Sequence, residues 1–302
     1  MKNSITNHIS DYLSFCQYNK RLDPKTVKAY KIDLSQFAAA LSKDIINIIT
    51  PNTLKDYIAC LHKTYKPKTV KRKIASLKAF TTYLEESEII ANNPFSKIHT
   101  KFREPVQLPK TIPLTTIERL LSSLYDSHHH AKSDYSRRTS LQAIAVIELL
   151  FATGIRISEL CSIHIEDIDL VHRRVKINGK GKKERVLSIG NESCLMVLSE
   201  YRDDFSKEIK ATGLFFPVSD QVVRRMIRKY CKLASIDQRI TPHMFRHTFA
   251  SSLLEAGVDI RYIQDFLGHS SISITEIYTH TTLRKQNEIL STLHPRMNMN
   301  IN

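Results

Sequence analysis

Apolar residues recur at helical spacing in four blocks over the first 92 positions, at residues 5–20, 24–41, 51–64 and 67–86, with no strand-like alternation between them. Three blocks open with proline, at Pro24, Pro51 and Pro67, where the fixed φ suits a first helical turn and the missing N–H costs little. From residue 92 the chain reads NNPFSKIHTKFREPVQLPKTIP, with four prolines and no periodicity, which predicts a linker over 93–113. Helical spacing returns at 115–126 and 137–153. The period then changes, and RRVKING and KERVLSIG within 173–189 predict two strands joined through Gly179, Lys180 and Gly181. Further helices are expected at 192–205, 219–234, 242–256, 259–267 and 271–279, with a last one from Thr282. The expected architecture is mainly α with a small antiparallel β-sheet, in two domains, 1–92 and 114–302.

The chain has 302 residues, enough for two cores, and its formal net charge of +15 points to a polyanionic partner. Nucleic acid fits better than a membrane surface, because no basic helix also carries large exposed apolar residues. The charge is +9 up to residue 105 and +6 beyond it, so the smaller domain is the more basic. Its fourth block sets Lys68, Lys71, Arg72 and Lys78 among Val70, Ile74 and Leu77, so that one face packs and the other is offered to phosphates; a merely solvated face is the alternative. No apolar run spans a membrane and no signal peptide opens the chain, which implies a cytoplasmic protein. The five cysteines show no CxxC spacing and are expected as small buried residues. His128, His129 and His130 adjoin, but consecutive positions diverge on a helix, and a solvated loop over 127–138 is expected rather than a metal site.

Four short segments carry candidate chemistry. In TPHMFRH, Thr241 and Pro242 open a helix on which His243 and Arg246, three apart, share a face beside the positive end of the helix dipole. His247 lies four after His243, yet no carboxylate supplies a zinc-protease pattern. In ATGIRISEL, Gly154 ends one helix and Arg156 begins the next segment. NGKGKKER is a cationic hairpin loop with Lys180, Lys182, Lys183 and Arg185, lacking the spacing of a nucleotide-binding loop. In FLGHSS, Gly268 closes a helix and presents His269, with Tyr278 nine residues on.

The ordered set TGIR, GKGKKER, HMFRH, LGH and IYTH, with LHPR after it, resembles the tyrosine recombinase (phage integrase) family, and its Xer-like bacterial members in particular, over nearly the whole chain. The resemblance implies a core-binding domain and a catalytic domain that clamp around DNA, and cleavage and rejoining at specific sites through a 3′-phosphotyrosyl intermediate, without ATP, metal or cofactor. It assigns Arg156 and Arg246 as phosphate-clamping arginines, Lys180 as the hairpin lysine, His243 and His269 as the site histidines and Tyr278 as nucleophile. Lys68, Lys71, Arg72, Lys78, Lys182, Lys183 and Arg185 are the expected further DNA contacts. Leu283, Ile289, Leu290 and Leu293 form an apolar stripe suited to docking on a neighbour, so a homotetramer or heterotetramer on DNA is implied. Two segments depart from a compact Xer pattern, residues 126–140 being longer and 213–223 shorter, which leaves room for a mobile-element integrase beside chromosome resolution. A type IB topoisomerase-like enzyme and a catalytically silent DNA-binding protein are the alternatives.

Overall fold

The structure, a computed structural model, describes residues 4–41, 43–102, 109–179 and 184–268. The chain divides into two compact units, Met1–Val106 and Gln107–Asn302.

The first unit holds α1 (Ile5–Tyr18), α2 (Pro24–Ala40), α3 (Pro51–Thr64) and α4 (Pro67–Glu86). The starts of three are fixed by caps. The Asp23 carboxylate accepts the Lys25 N–H at 2.8 Å, the Thr50 hydroxyl accepts that of Thr53 at 3.2 Å, and Ser4 accepts that of Asn7 at 3.3 Å. Ile5, Tyr12, Leu34, Phe37, Leu77 and Phe80 meet in a closed apolar centre. One charged cluster interrupts it. Asp33, 2% exposed, accepts Ser76 Oγ at 2.8 Å, Lys73 Nζ at 3.2 Å and the Arg72 guanidinium, while Lys73 also reaches Gln36. The segment after α4, read from sequence as unpatterned linker, is anchored at both ends. Phe95 is buried in the first core, with Ile98 and Phe102 packed on it, and Ile112 is buried in the second. Single well-spaced apolar residues provide this anchoring, and they leave no periodic signature.

The second unit begins with α5 (Leu114–His129) and α6 (Asp134–Thr153). The expected loop over 127–138 is therefore corrected: all but residues 130–133 are helix. Ser133 caps α6 by accepting the Ser136 N–H at 3.2 Å, a start that the polar run concealed. His128 is no solvated residue, since its Nδ1 lies 3.2 Å from Ser140 Oγ and its Nε2 3.4 Å from Glu200. Helix α6 is apolar on every side from Ala143 to Leu150 except for Glu148, because α5 and two later helices surround it.

After α7 (Ile157–Leu160) come β1 (Ile168–Asp169), β2 (Arg174–Asn178) and β3 (Glu184–Ser188), paired antiparallel in the order β1-β2-β3. The strand β1, two residues long, gave no alternation to read. Register sets Val175 opposite Leu187 and Ile177 opposite Arg185, so these four share the core-facing side. Then come α8 (Glu192–Asp204), α9 (Ser206–Thr212), α10 (Asp220–Leu233), α11 (Pro242–Glu255) and α12 (Ile260–Leu267). The short α9 was not anticipated. Cys16, Cys194 and Cys231 are buried as expected, whereas Cys60 is exposed. Among the described residues no helix is long and apolar enough to cross a membrane, and no cluster of histidine, cysteine and carboxylate suits a metal ion.

Candidate active site

Helix α6 ends at Gly154, whose φ of +61° turns the chain into the left-handed region. A side chain is excluded there on two counts, the φ and a Cβ position 2.5 Å from Phe249 Cδ1. Two residues on, Arg156 caps α7 in extended conformation. Glu159, three residues further, turns back upon it: Oε2 accepts the Arg156 N–H at 2.9 Å and Oε1 accepts Arg156 Nη1 at 2.7 Å. The Arg156 side chain stays 35% exposed while that of Glu159 is 5% exposed, so the anchor is inside and the guanidinium reaches the surface.

Arg246 lies one turn into α11 and is 4% exposed. Its Nη1 donates to Gly154 O at 2.9 Å and its Nη2 to Leu267 O at 2.6 Å. One side chain thus joins the end of α6, the interior of α11 and the end of α12. Carbonyls at helix ends carry partial negative charge, which suits a buried cation. Gly268 closes α12 at φ +61°, and a Cβ there would stand 2.9 Å from Arg185 Nη1. His243, on the first turn of α11, is exposed. His247 is half-buried; burial, and then the neighbouring His243 and Arg246, push its pKa down, which keeps the ring neutral at neutral pH.

Arg185, expected at the DNA surface, is turned inward instead. Its Nη2 donates to Glu159 Oε2 at 2.7 Å, its Nη1 to Oε1 at 3.2 Å, and its Nε to Phe266 O at 2.9 Å. Burial raises the pKa of Glu159, but hydrogen bonds from Arg185 and from the Arg156 amide outweigh that and hold the carboxyl below its usual range. The remaining expected residues fall into two groups. In the first unit, Lys68 and Lys71 are exposed, Arg72 is paired with Asp33, and Lys78 donates to Thr100 Oγ1 at 2.6 Å. Lys180, Lys182, Lys183, His269, Tyr278 and the apolar stripe from Leu283 lie outside the described residues.

Sequence reasoning missed two features. Glu159 carried a legible signal, an acidic residue three after a helix start. The second is a basic row on α10. Arg224, Arg228 and Lys232, spaced by four, line a groove with Arg239, Thr241 and Pro242 that leads to the start of α11.

A basic helical unit is thus followed by a mostly helical unit in which Arg246 ties the ends of α6 and α12 to α11. Residues 117–284 match the phage integrase family and residues 9–88 its N-terminal SAM-like domain. The chain is 55% identical over 300 residues to a tyrosine recombinase of Agathobacter rectalis, across 97% of this chain and 98% of that one. It is 33% identical to the tyrosine recombinase XerD of Listeria monocytogenes, across 95% and 98%. Among solved structures it resembles the XerH site-specific recombinase bound to palindromic difH substrate, at 20% identity and a TM-score of 0.73 over 94% of this chain and 84% of that one. The chain belongs to the phage integrase family: it is a tyrosine recombinase, and its activity is site-specific DNA recombination.

Proposed function

We propose that the protein cuts and rejoins duplex DNA with Tyr278 as nucleophile, on a phosphate held by Arg156 and Arg246. The observation that carries this reading is the seat of Arg246. In bridging Gly154 O and Leu267 O it draws the TGIR, HMFRH and LGH segments to one place, though they lie far apart in sequence.

The chemistry rests on the residue types. A tyrosine hydroxyl with pKa near 10 is about 0.1% ionised at pH 7, which opposes attack by roughly 4 kcal/mol. Permanently charged guanidiniums on the nonbridging oxygens lower that barrier as charge builds on five-coordinate phosphorus. The Tyr278 oxygen bonds to phosphorus and the bond to the 5′ oxygen breaks. His243 accepts the phenolic proton or organises the clamp, His269 donates to a phosphate oxygen, and Lys180 gives a proton to the departing oxygen. The 3′-phosphotyrosyl ester retains the energy of the broken bond, so a second 5′-OH reverses the step without ATP.

Lys68, Lys71, Lys182, Lys183 and the α10 row are the DNA contacts in this reading. The tail from Thr282 docks on a neighbouring subunit of a tetramer, in the cytoplasm. A mobile-element substrate is a second destination for the same chemistry, suggested by the length departures at residues 126–140 and 213–223.

The test is covalent trapping. Incubation with nicked, fragmented host DNA and recovery under denaturing conditions yields a protein–DNA adduct, and sequencing the attached strand gives site and cleavage position together. Tyr278→Phe retains binding and gives no adduct. An adduct on that variant moves the nucleophile elsewhere, Tyr262, 62% exposed on α12, being the nearest described candidate.

A further inference from the structure

We infer that Arg185 is a positioning residue for strand cleavage, which sets the Arg156 guanidinium through Glu159 rather than contacting DNA. The inference rests on the proposed role of Arg156 and deepens it.

Strand geometry starts the argument. Arg185 pairs with Ile177 across the ladder and shares its face with Leu187 and Ile189, so its Cβ points into the protein. The side chain is 12% exposed, too little for a phosphate contact of the ordinary surface kind. All three guanidinium nitrogens are used: the two terminal ones on Glu159 in a two-pronged pair, and Nε on Phe266 O. Gly268 allows this approach, because a Cβ there would strike the guanidinium.

Charge completes it. Glu159 is a buried carboxylate shared by two arginines, one at the surface and one within. Were Arg185 absent, Glu159 would have Arg156 as its only ionic partner among these contacts. It would then compete with a DNA phosphate for that guanidinium. Taking Arg156, Glu159 and Arg185 together the charge is +1; without Arg185 it is zero. The phosphate would lose both a fixed donor and net attraction. The Nε contact adds a mechanical link, since Arg185 and Arg246 hold consecutive carbonyls, Phe266 O and Leu267 O, at the end of α12.

The experiment uses the site recovered by trapping, in two forms. One has the ordinary scissile phosphodiester, and the other a methylphosphonate whose nonbridging methyl removes the negative charge that the clamp serves. At saturating DNA, Arg185→Ala is expected to cleave the phosphodiester slower than wild type by a factor on the order of 10², the effect of displacing a catalytic group by about an ångström. On the methylphosphonate the two proteins cleave at nearly equal rates. Arg185→Lys recovers part of the loss. Arg185→Gln, which keeps a hydrogen-bond donor for Glu159 but removes the charge, stands in if Arg185→Ala does not fold, with the same pattern expected. Equal slowing on both substrates would reduce Arg185 to scaffolding and overturn the inference. So would normal cleavage at saturation combined with weaker binding and a salt slope reduced by about one phosphate. Failure of the wild type to form any adduct would instead overturn the function proposed above.

Discussion

Gly154→Ala tests the joint on which the site turns. Two penalties are readable from the structure. The left-handed φ of +61° costs a side-chain-bearing residue about 1–2 kcal/mol. The new methyl would also stand 2.5 Å from Phe249 Cδ1 and 2.9 Å from Cγ, near the root of a ring packed on the cluster of Ala250, Ile263 and Leu267. A ring held at its root yields less than a flexible chain end, and overpacking of this kind costs about 1–3 kcal/mol. The total of roughly 2–5 kcal/mol corresponds to a melting shift of about 5–15 °C for a unit of this size. With no tryptophan in the chain, melting is followed by circular dichroism. Adding Phe249→Ala separates the penalties, because it removes the struck atoms, Cγ and Cδ1, but leaves the φ, and the double variant should lose less than the sum of the single changes. Cleavage falls as well, since the Gly154 carbonyl orients Arg246. A loss below about 1 kcal/mol, or strict additivity with Phe249→Ala, would refute the reasoning.

Three further outcomes are expected. Lys180→Ala slows cleavage by roughly 10²–10⁴ and recovers on a substrate with sulfur in place of the bridging 5′ oxygen, whereas Arg156→Ala stays slow on both; equal slowness of Lys180→Ala on sulfur removes the general-acid role. Burial raises the pKa of Glu148 more than the Tyr125 hydrogen bond lowers it, so its folded-state ionisation costs stability as pH rises above the ordinary carboxylate range. Glu148→Gln, which still accepts the Tyr125 hydroxyl, then gains on wild type in denaturant melts between pH 5 and pH 8, and a constant difference would contradict this. Arg228→Ala lowers the slope of log affinity against log salt by about one without preventing cleavage at saturating DNA, and an unchanged slope removes α10 from the interface.

The parts of this molecule legible in its sequence are those whose cause is local. Proline at the first helical turn beside Asp23 or Thr50 marks a helix start by its own chemistry, and α2, α3 and α4 begin there. The segments at Gly154, Pro242 and Gly268 were equally readable, because glycine at a helix end and proline in a first helical turn are short-range signals. The features that escaped depend on partners distant in sequence. Arg72 reads as one of four similar cations, and only α2 packing on α4 assigns it to Asp33. Lys73 was passed over because a buried lysine has no sequence mark. Arg185 is the instructive case. Alternation with Leu187 and Ile189 already placed it on the inner face of β3, but in a loop of cations its charge was the louder signal. Period-2 reasoning, applied to the arginine as strictly as to the leucine, would have turned it inward.

The same residues bear on how a site keeps positive charge while holding it still. A carboxylate fixes a guanidinium well but cancels its charge. A carbonyl at a helix end fixes it through partial charge only and leaves the formal charge intact. Arg156 and Arg246, the arginines proposed to hold the phosphate, are fixed in these two ways. Both terminal nitrogens of buried Arg246 meet carbonyls, at Gly154 and Leu267, so its orientation costs little of its attraction for phosphate. Arg156 is nearer the surface, begins a helix of four residues, and is held by a full carboxylate. That anchor alone would neutralise it. With Arg185 on the opposite side of Glu159, the carboxylate is satisfied twice and Arg156 keeps a net cationic setting. The arrangement accounts for a buried ion pair whose worth to folding alone would be small, since apolar residues of like volume often serve as well. Replacing Glu159 and Arg185 together should therefore disturb cleavage more than it disturbs stability.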